Sequence, residues 1–280
     1  MLFEIDLRNA ESRIVDYLAN ETKMIRAYEA NRDPYRIIGA EIFDCKYEEV
    51  SDEPGSSGFS PHSQRKVSKE IKLALQYGMK HVTLAERADL PLRIAKELRE
   101  KYLNQICPNL SRVYWRFIEQ ELQRRKAVTD LFGKTYRFFD RWGDKLLNQA
   151  YNYIPQSTVG AIINQWGLLP IWAGRESCFK PVELLIQEHD SIKYQIRDSW
   201  GAQVQEECLK AIIISLERPL TFDGRSWIIP CEAAAGYNLG KRIINKKTGK
   251  VENPDGLKEI NLAANAEEQI EEIKHEHSLC

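Results

Sequence analysis

Hydrophobic and polar positions follow two different periods along this chain, and the periods separate predicted strands from predicted helices. The apolar run Leu2 to Ile5 predicts a strand that ends on the carboxylate of Asp6. Segment 181–196 has a continuous apolar core and alternates after Asp190, which predicts a hairpin with His189 and Asp190 at its turn. Helical spacing predicts the main helices, at 11–20, 65–76, 144–169 and 200–216. The segment 226–237 predicts one further strand.

One of these predicted helices carries cations and an aromatic ring on the same face. Arg65, Lys69, Leu73 and Tyr77 recur every four positions, so they lie within about a third of the helix circumference. Gly78 follows at once, where a helix commonly stops. The order of groups suits an elongated ligand that is anionic at one end and flat at the other. A solvated basic face beside a core gives the same pattern.

The composition narrows the class of protein. The chain has 280 residues, with 40 basic against 41 acidic, so its overall charge predicts no nucleic-acid partner and any basic surface must be local. Its six cysteines are scattered without zinc-ligand spacing. Glu4 and Asp6 interrupt the first residues, unlike a signal peptide, and no apolar run approaches the ~20 residues of a membrane span. We therefore expect a soluble cytoplasmic protein.

Two carboxylates lie at predicted strand ends. Asp6 ends one strand and Asp190 lies in a tight turn between two others, so adjacent strands could bring them together. Phosphoryl and nucleotidyl transfer commonly use two divalent ions held ~3.5–4 Å apart by such groups. Hard oxygen ligands favour Mg²⁺. Two unrelated turn aspartates are the competing interpretation.

Spaced motifs give the sequence a family resemblance. It resembles the C-terminal polymerase portion of family A DNA polymerases, the DNA polymerase I type, over roughly residues 2–240. "DLRNAESR" (6–13) is similar to that family's "DYSQIELR", "RKVSKEIKLALQYG" (65–78) to its R-x3-K-x7-YG, and "EHDS" (188–191) to its "VHDE". "RDPYRIIGAEIF" (32–43) and "NYIPQSTVGAII" (152–163) support the resemblance and come in the same order.

The resemblance implies roles for individual residues. Asp6 and Asp190 would be the catalytic residues and hold two Mg²⁺ ions, or Mn²⁺, with help from the backbone carbonyl of Leu7. Glu11 would block a 2′-hydroxyl and so favour deoxynucleotides. The incoming dNTP would also contact Arg65, Lys69, Leu73, Tyr77 and Tyr35. Primer–template DNA would contact Asn152, Gln156, His189 and Arg13.

The implied fold is α+β, with an antiparallel-sheet palm and a helical fingers insertion. The palm would comprise 1–30 and 129–240, the fingers 31–128, and residues 241–280 a charged C-terminal tail that is either a solvated helix or disordered. The partners would be primer–template DNA and dNTP, with no membrane. The location would be the cytoplasm of a bacterial cell or phage-infected host.

Departures from the family pattern leave an alternative open. Ser191 stands where the DNA polymerases usually have Glu, Leu73 replaces an aromatic residue, and Tyr35 replaces His. "HDS" and the non-aromatic Leu73 also resemble single-subunit phage-type RNA polymerases. Glu11 and the segments beginning at 32 and 152 favour the DNA polymerase.

The segments that precede the first motif in this family would be a thumb, the first palm strands and a proofreading exonuclease. Only five residues precede Asp6. We therefore expect a gene fragment, or one piece of a split polymerase whose thumb or exonuclease is on a second polypeptide. Weak processive synthesis by the chain alone would follow. A non-catalytic DNA- or nucleotide-binding subunit and an inactive remnant are the alternatives.

Overall fold

The computed structural model describes residues 1–244 and 251–278. The chain divides into two compact units, the first comprising Met1–Ala10 with Thr158–Cys280 and the second comprising Glu11–Ser157. The palm and fingers boundaries expected from the sequence differ from this division, and they stay a prediction.

Helices and antiparallel strands both contribute, which confirms the α+β class. The helices are α1 Ala10–Leu18, α2 Thr22–Glu29, α3 Pro34–Phe43, α4 Gln64–Gln76, α5 His81–Ala88, α6 Leu92–Lys101, α7 Arg116–Arg125, α8 Asp144–Ala161, α9 Leu169–Ala173, α10 Gly201–Leu216 and α11 Ala266–Ser278. The strands are β1 Leu2–Leu7, β2 Ala127–Thr129, β3 Thr135–Arg137, β4 Glu183–Glu188, β5 Ser191–Gln195, β6 Leu220–Phe222, β7 Arg225–Trp227, β8 Cys231–Gly236, β9 Ile243–Ile244, β10 Val251–Glu252 and β11 Lys258–Ile260. Within the described ranges, none of the helices has the length and apolar character needed to cross a membrane.

The first unit is built on a five-stranded antiparallel sheet in the order β11-β8-β1-β5-β4. β1 lies in the middle, and its side chains alternate between two environments. Phe3, Ile5 and Leu7 are fully buried on one face, while Glu4 and Asp6 point to the other. On the buried face, the ring of Phe3 stacks on Tyr194 of β5 at 5.2 Å. The alternation read from the sequence therefore sets which side chains form the core.

The second unit is largely helical, and α4 is one of its buried elements. The Ser63 hydroxyl caps α4 by accepting a hydrogen bond from the backbone N–H of Lys66 at 3.1 Å. Ile71 and Leu75 on one side of α4 are fully buried. Helix α4 therefore has an apolar face that anchors it and an opposite face that carries the predicted cations.

Proline in the interior of α8 leaves a carbonyl without its usual partner, because Pro155 has no N–H to donate to Tyr151 four residues earlier. The Tyr114 hydroxyl donates to that Tyr151 carbonyl oxygen at 2.6 Å. Tyr114 is buried in the π-helical segment Leu110–Trp115. One buried side chain thus satisfies the backbone group that the proline releases.

Two expectations from the sequence need correction. The segment 226–237 reads as one strand, but the structure has β7 and β8 separated at Pro230, which cannot donate to a strand ladder. The C-terminal segment, expected to be a solvated helix or disordered, contains helix α11 in its described part, and this helix is not fully solvated. Helix α11 buries Ile270 and Ile273 and contacts α10.

Replacing Gly78 by alanine should destabilise the protein more than a typical glycine substitution. Gly78 has φ +75°, and an added Cβ would lie 2.7 Å from Cδ2 of Tyr151. We expect G78A to lower the free energy of unfolding by about 2–4 kcal/mol, combining backbone strain with a steric clash. Urea denaturation measures it.

Gly58→Ala is the matched control, since Gly58 has φ +76° with nothing within 4 Å of the added Cβ. Its cost should be about 1 kcal/mol. Equal losses for the two variants would show that the Tyr151 contact has no energetic effect.

Candidate active site

The two predicted metal-binding aspartates lie side by side at one end of the sheet. Asp6 is opposite Ser191, the first residue of β5, and Asp190 immediately precedes Ser191 in the two-residue turn that joins β4 to β5. The backbone N–H of Leu7 donates to the Asp190 carbonyl oxygen at 2.9 Å. Both side chains are half-buried. The convergence expected from the sequence is therefore present.

The opposite neighbour of Asp6 is also acidic. In β8, Glu232 pairs directly with Asp6, so the two carboxylates share the polar face of the sheet. The guanidinium of Arg8 forms an ion pair with Glu232 at 3.1 Å. Glu4, on the same face, pairs with Lys193 at 3.4 Å. We call Glu4, Asp6, Asp190 and Glu232 the acidic face.

This arrangement makes ionisation of Asp6 unfavourable. Burial, followed by repulsion from Asp190, Glu232 and Glu4, raises the pKa of Asp6 to about 7. Lys241 acts in the opposite direction, but its effect is smaller. The acidic face therefore carries more negative charge than the neighbouring protein cations neutralise.

A divalent cation fits the chemistry of this face. Its donors are carboxylate oxygens, which Mg²⁺ and Mn²⁺ prefer, and a bound cation would relieve the repulsion that raises the pKa of Asp6. Over residues 1–244 and 251–278, no three His, Cys, Asp or Glu side chains are grouped closely enough to hold an ion by themselves. Asp6 and Asp190 would hold a metal together with water or substrate oxygens, and the Leu7 carbonyl stays a predicted ligand.

In the second unit, the structure brings together three of the predicted nucleotide-binding residues. Tyr35 of α3 is buried, and its ring centre lies 5.6 Å from Cζ of Arg65 and 5.8 Å from Nζ of Lys69. Arg65 also donates from Nε to a carboxylate oxygen of Asp33 at 2.5 Å. The Asp33 side chain at the same time caps α3 by accepting from the backbone N–H of Tyr35. Helices α3 and α4 thus present one aromatic and cationic surface.

The remaining predicted nucleotide contacts lie on α1, on α4 and at its end. Leu73 and Tyr77 are half-buried, and Tyr77 forms the C-cap of α4. The Tyr77 hydroxyl is buried without a hydrogen-bond partner among the described residues, so it could serve an incoming group. Glu11 lies half-buried in the first turn of α1. Arg65, Lys69, Leu73 and Tyr77 thus follow one another along α4 at the four-residue spacing seen in the sequence.

The residues predicted to contact DNA differ in exposure. Gln156 and His189 are exposed, and His189 has a left-handed backbone, φ +36°, in the hairpin turn. Asn152 donates to the backbone carbonyl of Asn148 at 2.9 Å. Arg13 is only 4 % exposed, with its guanidinium 4.4 Å from the ring centre of Tyr28. DNA contacts by these four residues stay predictions. The contact by Arg13 has the least support of the four, because its side chain is buried.

Sequence reasoning missed two residues of these surfaces. Glu232 enters the acidic face only through the pairing of β1 with β8, which no local pattern reveals. Asp33 enters through its ion pair with Arg65, 32 positions away. The helix-capping position of Asp33, just before Pro34, is the one local signal available for it.

The fold is similar to that of a solved structure. The structure matches the POL domain of Pol1 from M. smegmatis, solved in complex with DNA primer-template and dNTP, with a TM-score of 0.66 and 16% sequence identity. The match covers 83% of this chain and 38% of that one.

The family follows from the sequence match. The model of DNA polymerase family A matches residues 1–227, and the chain belongs to that family. DNA polymerase I of Helicobacter pylori, in strains 26695 and J99, is 26% identical over 212 residues, which cover 74% of this chain and 22% of the relative. The chain thus spans about a fifth of the length of these curated relatives. The resemblance drawn from the motifs is confirmed.

The pKa of Asp6 predicts a pH dependence of stability in the absence of divalent cations. Since this pKa rises from 3.8 to about 7 on folding, the folded chain binds more protons than the unfolded chain between those values. Stability contributed by this group is therefore complete below about pH 4 and is lost as the pH rises to 7. We expect Asp6→Asn to raise the free energy of unfolding at pH 8 by about 1–2 kcal/mol, less than the full shift because solvent screens a partly exposed group.

The measurement is urea denaturation of both proteins in EDTA at pH 5 and pH 8. Asp223→Asn, which changes an exposed carboxylate in the β6–β7 turn, should leave the wild-type pH dependence in place. An Asp6→Asn protein with that same dependence would contradict the assignment.

Proposed function

We propose that this chain adds deoxynucleotides to a primer 3′-hydroxyl under the direction of a DNA template. The observation that carries the proposal is the convergence of Asp6 and Asp190, fixed by the pairing of Asp6 with Ser191 and by the Leu7–Asp190 hydrogen bond. Membership of DNA polymerase family A and the fold match support it. The cytoplasm of a bacterial cell or phage-infected host remains the proposed location.

The acidic face would hold two Mg²⁺ or Mn²⁺ ions through Asp6 and Asp190. When bound, such ions supply Lewis-acid activation of the attacking hydroxyl and neutralise charge on the triphosphate. The half-buried position of Asp6 lowers the local dielectric and strengthens its attraction for a cation. Arg8, by pairing with Glu232, limits the surplus negative charge on this face.

The surface formed by α3 and α4 would bind the incoming dNTP. Arg65 and Lys69 would donate to triphosphate oxygens, where charge-assisted hydrogen bonds are strong. Arg65 donates to one carboxylate in the structure, that of Asp33, and this contact supports a role in binding an anionic group. Leu73 and Tyr77 would contact the sugar and base. Glu11 would exclude a ribonucleotide, because its 2′-hydroxyl would clash with the Glu11 carboxylate or remove water from it.

Two alternatives remain distinguishable from this proposal. An RNA polymerase of the phage type would incorporate ribonucleotides, and Ser191 and Leu73 are the features that fit it. A non-catalytic subunit would bind DNA or dNTP without incorporation. Family membership supports the DNA polymerase, as does the carboxylate at Glu11.

The proposal includes a second polypeptide that carries a thumb or exonuclease. In this arrangement the isolated chain adds single nucleotides but extends primers poorly.

Asp190→Asn should abolish nucleotide addition while leaving DNA binding within about 3-fold, because it removes a metal ligand and no DNA contact. A loss of 10³-fold or more in the single-turnover rate is expected for a group acting mainly in the transition state. The assay is addition of one dNMP to a labelled primer–template at enzyme excess, with Mg²⁺.

Asp223→Asn changes another hairpin-turn aspartate of the same unit and should retain the wild-type rate. Retained incorporation by Asp190→Asn would refute the metal assignment. Binding of DNA and dATP by a wild-type chain that adds no nucleotide would favour the non-catalytic subunit.

A further inference from the structure

A buried ion pair joins α4 to α1 beside the predicted nucleotide-binding residues of α4, since Lys72 lies seven positions, about two helical turns, after Arg65. Nζ of Lys72 donates to Oδ2 of Asp16 in α1 at 2.7 Å, and the two side chains are 0% and 3% exposed. The Tyr28 hydroxyl donates to the same Asp16 oxygen at 2.6 Å. Nothing in the proposed nucleotide chemistry uses this pair.

Stability is a poor explanation for such a pair. Removing two charges from water costs about as much as their attraction returns, and apolar replacements of similar volume are often neutral or stabilising. A better-attested use of buried polar pairs is to select one register between two elements. A displaced register would leave Lys72 or Asp16 buried without its counter-charge.

A second polar contact one helical turn away defines the same register. The Ser12 hydroxyl donates to Oε1 of Gln76 at 2.9 Å, and Nε2 of Gln76 donates to the Ser12 carbonyl at 3.4 Å. Both helices thus contribute residues four positions apart, with Lys72 and Gln76 on α4 meeting Asp16 and Ser12 on α1. The two contacts fix both the sliding and the rotation of α4 against α1.

We propose that Lys72 and Asp16 are positioning residues for nucleotide selection. The proposal rests on the function proposed above. Lys72 precedes Leu73 and lies three residues after Lys69, while Ser12 follows Glu11 directly. The register therefore sets where the phosphate-binding cations of α4 lie relative to the carboxylate that senses the sugar. Loss of the register changes sugar discrimination as well as affinity.

The test combines Lys72→Met with Asp16→Asn. This double variant removes both charges, keeps the approximate volumes and leaves an acceptor for the Tyr28 hydroxyl. The wild-type chain should bind dATP more tightly than ATP in Mg²⁺, as measured by isothermal titration calorimetry. The double variant should bind dATP about 10-fold more weakly, as expected when binding groups are misplaced by about an ångström, and should discriminate between the two nucleotides by no more than about 3-fold.

Glu70→Gln with Arg87→Met is the matched control. It removes another ion pair of α4, at 3.0 Å but partly exposed and directed to α5. Its dATP affinity and its dATP-to-ATP ratio should stay at the wild-type values. A folded Lys72→Met/Asp16→Asn protein with wild-type affinity and ratio would overturn the proposal.

A second double variant covers the case in which the first does not fold. Ser12→Ala with Gln76→Met removes the neighbouring contact without touching a charge, and it should also narrow the dATP-to-ATP ratio. An unchanged ratio in this folded variant would likewise overturn the proposal.

Two further variants separate this inference from the proposed function. Lys69→Ala should weaken dATP binding, and Glu11→Ala should strengthen ATP binding. If neither changes anything, the proposed nucleotide site is wrong. If both act as expected while the two register variants do not, only the positioning role fails.

Discussion

The position of β1 between β5 and β8 is the constraint on which the acidic face depends. The register of two antiparallel strands determines which of their side chains are neighbours. Once Phe3, Ile5 and Leu7 are buried on one face, Asp6 must face the other, beside Ser191 and Glu232. A slip of one residue would bury Asp6 in the core. The same hydrophobic packing that folds the sheet thus gathers negative charge, at the cost of a raised Asp6 pKa.

Helix α4 shows the same relation between packing and chemistry in the other unit. Ile71 and Leu75 anchor one face of α4, and the other face presents Arg65 and Lys69 around Tyr35. The buried Lys72–Asp16 pair lies beside this second face. Because helix periodicity separates these faces, anchoring one determines the direction of the other. Functional placement is therefore a consequence of the buried contacts.

Much of this could be predicted from local patterns, and the rest depends on pairing that the sequence does not show. Alternation and helical spacing locate β1, α4 and the hairpin carrying Asp190, and spaced motifs indicate the family. Glu232 could not be found this way, since strand order is a tertiary property. In the sequence, Lys72 cannot be told apart from the other charges of a basic helix, because its partner Asp16 lies 56 positions away. Pro230 is the local signal for the break between β7 and β8, because proline has no N–H to donate to a strand ladder.

Mn²⁺ binding by wild type, Asp6→Asn, Asp190→Asn and the double variant, followed by electron paramagnetic resonance, tests the shared metal site most directly. Each single substitution should weaken the tightest binding by about 10-fold or more, and the double variant should lose little beyond either single one, because ligands of one ion are strongly coupled. Single losses that simply add, or binding that neither substitution changes, would contradict a site shared by the two aspartates.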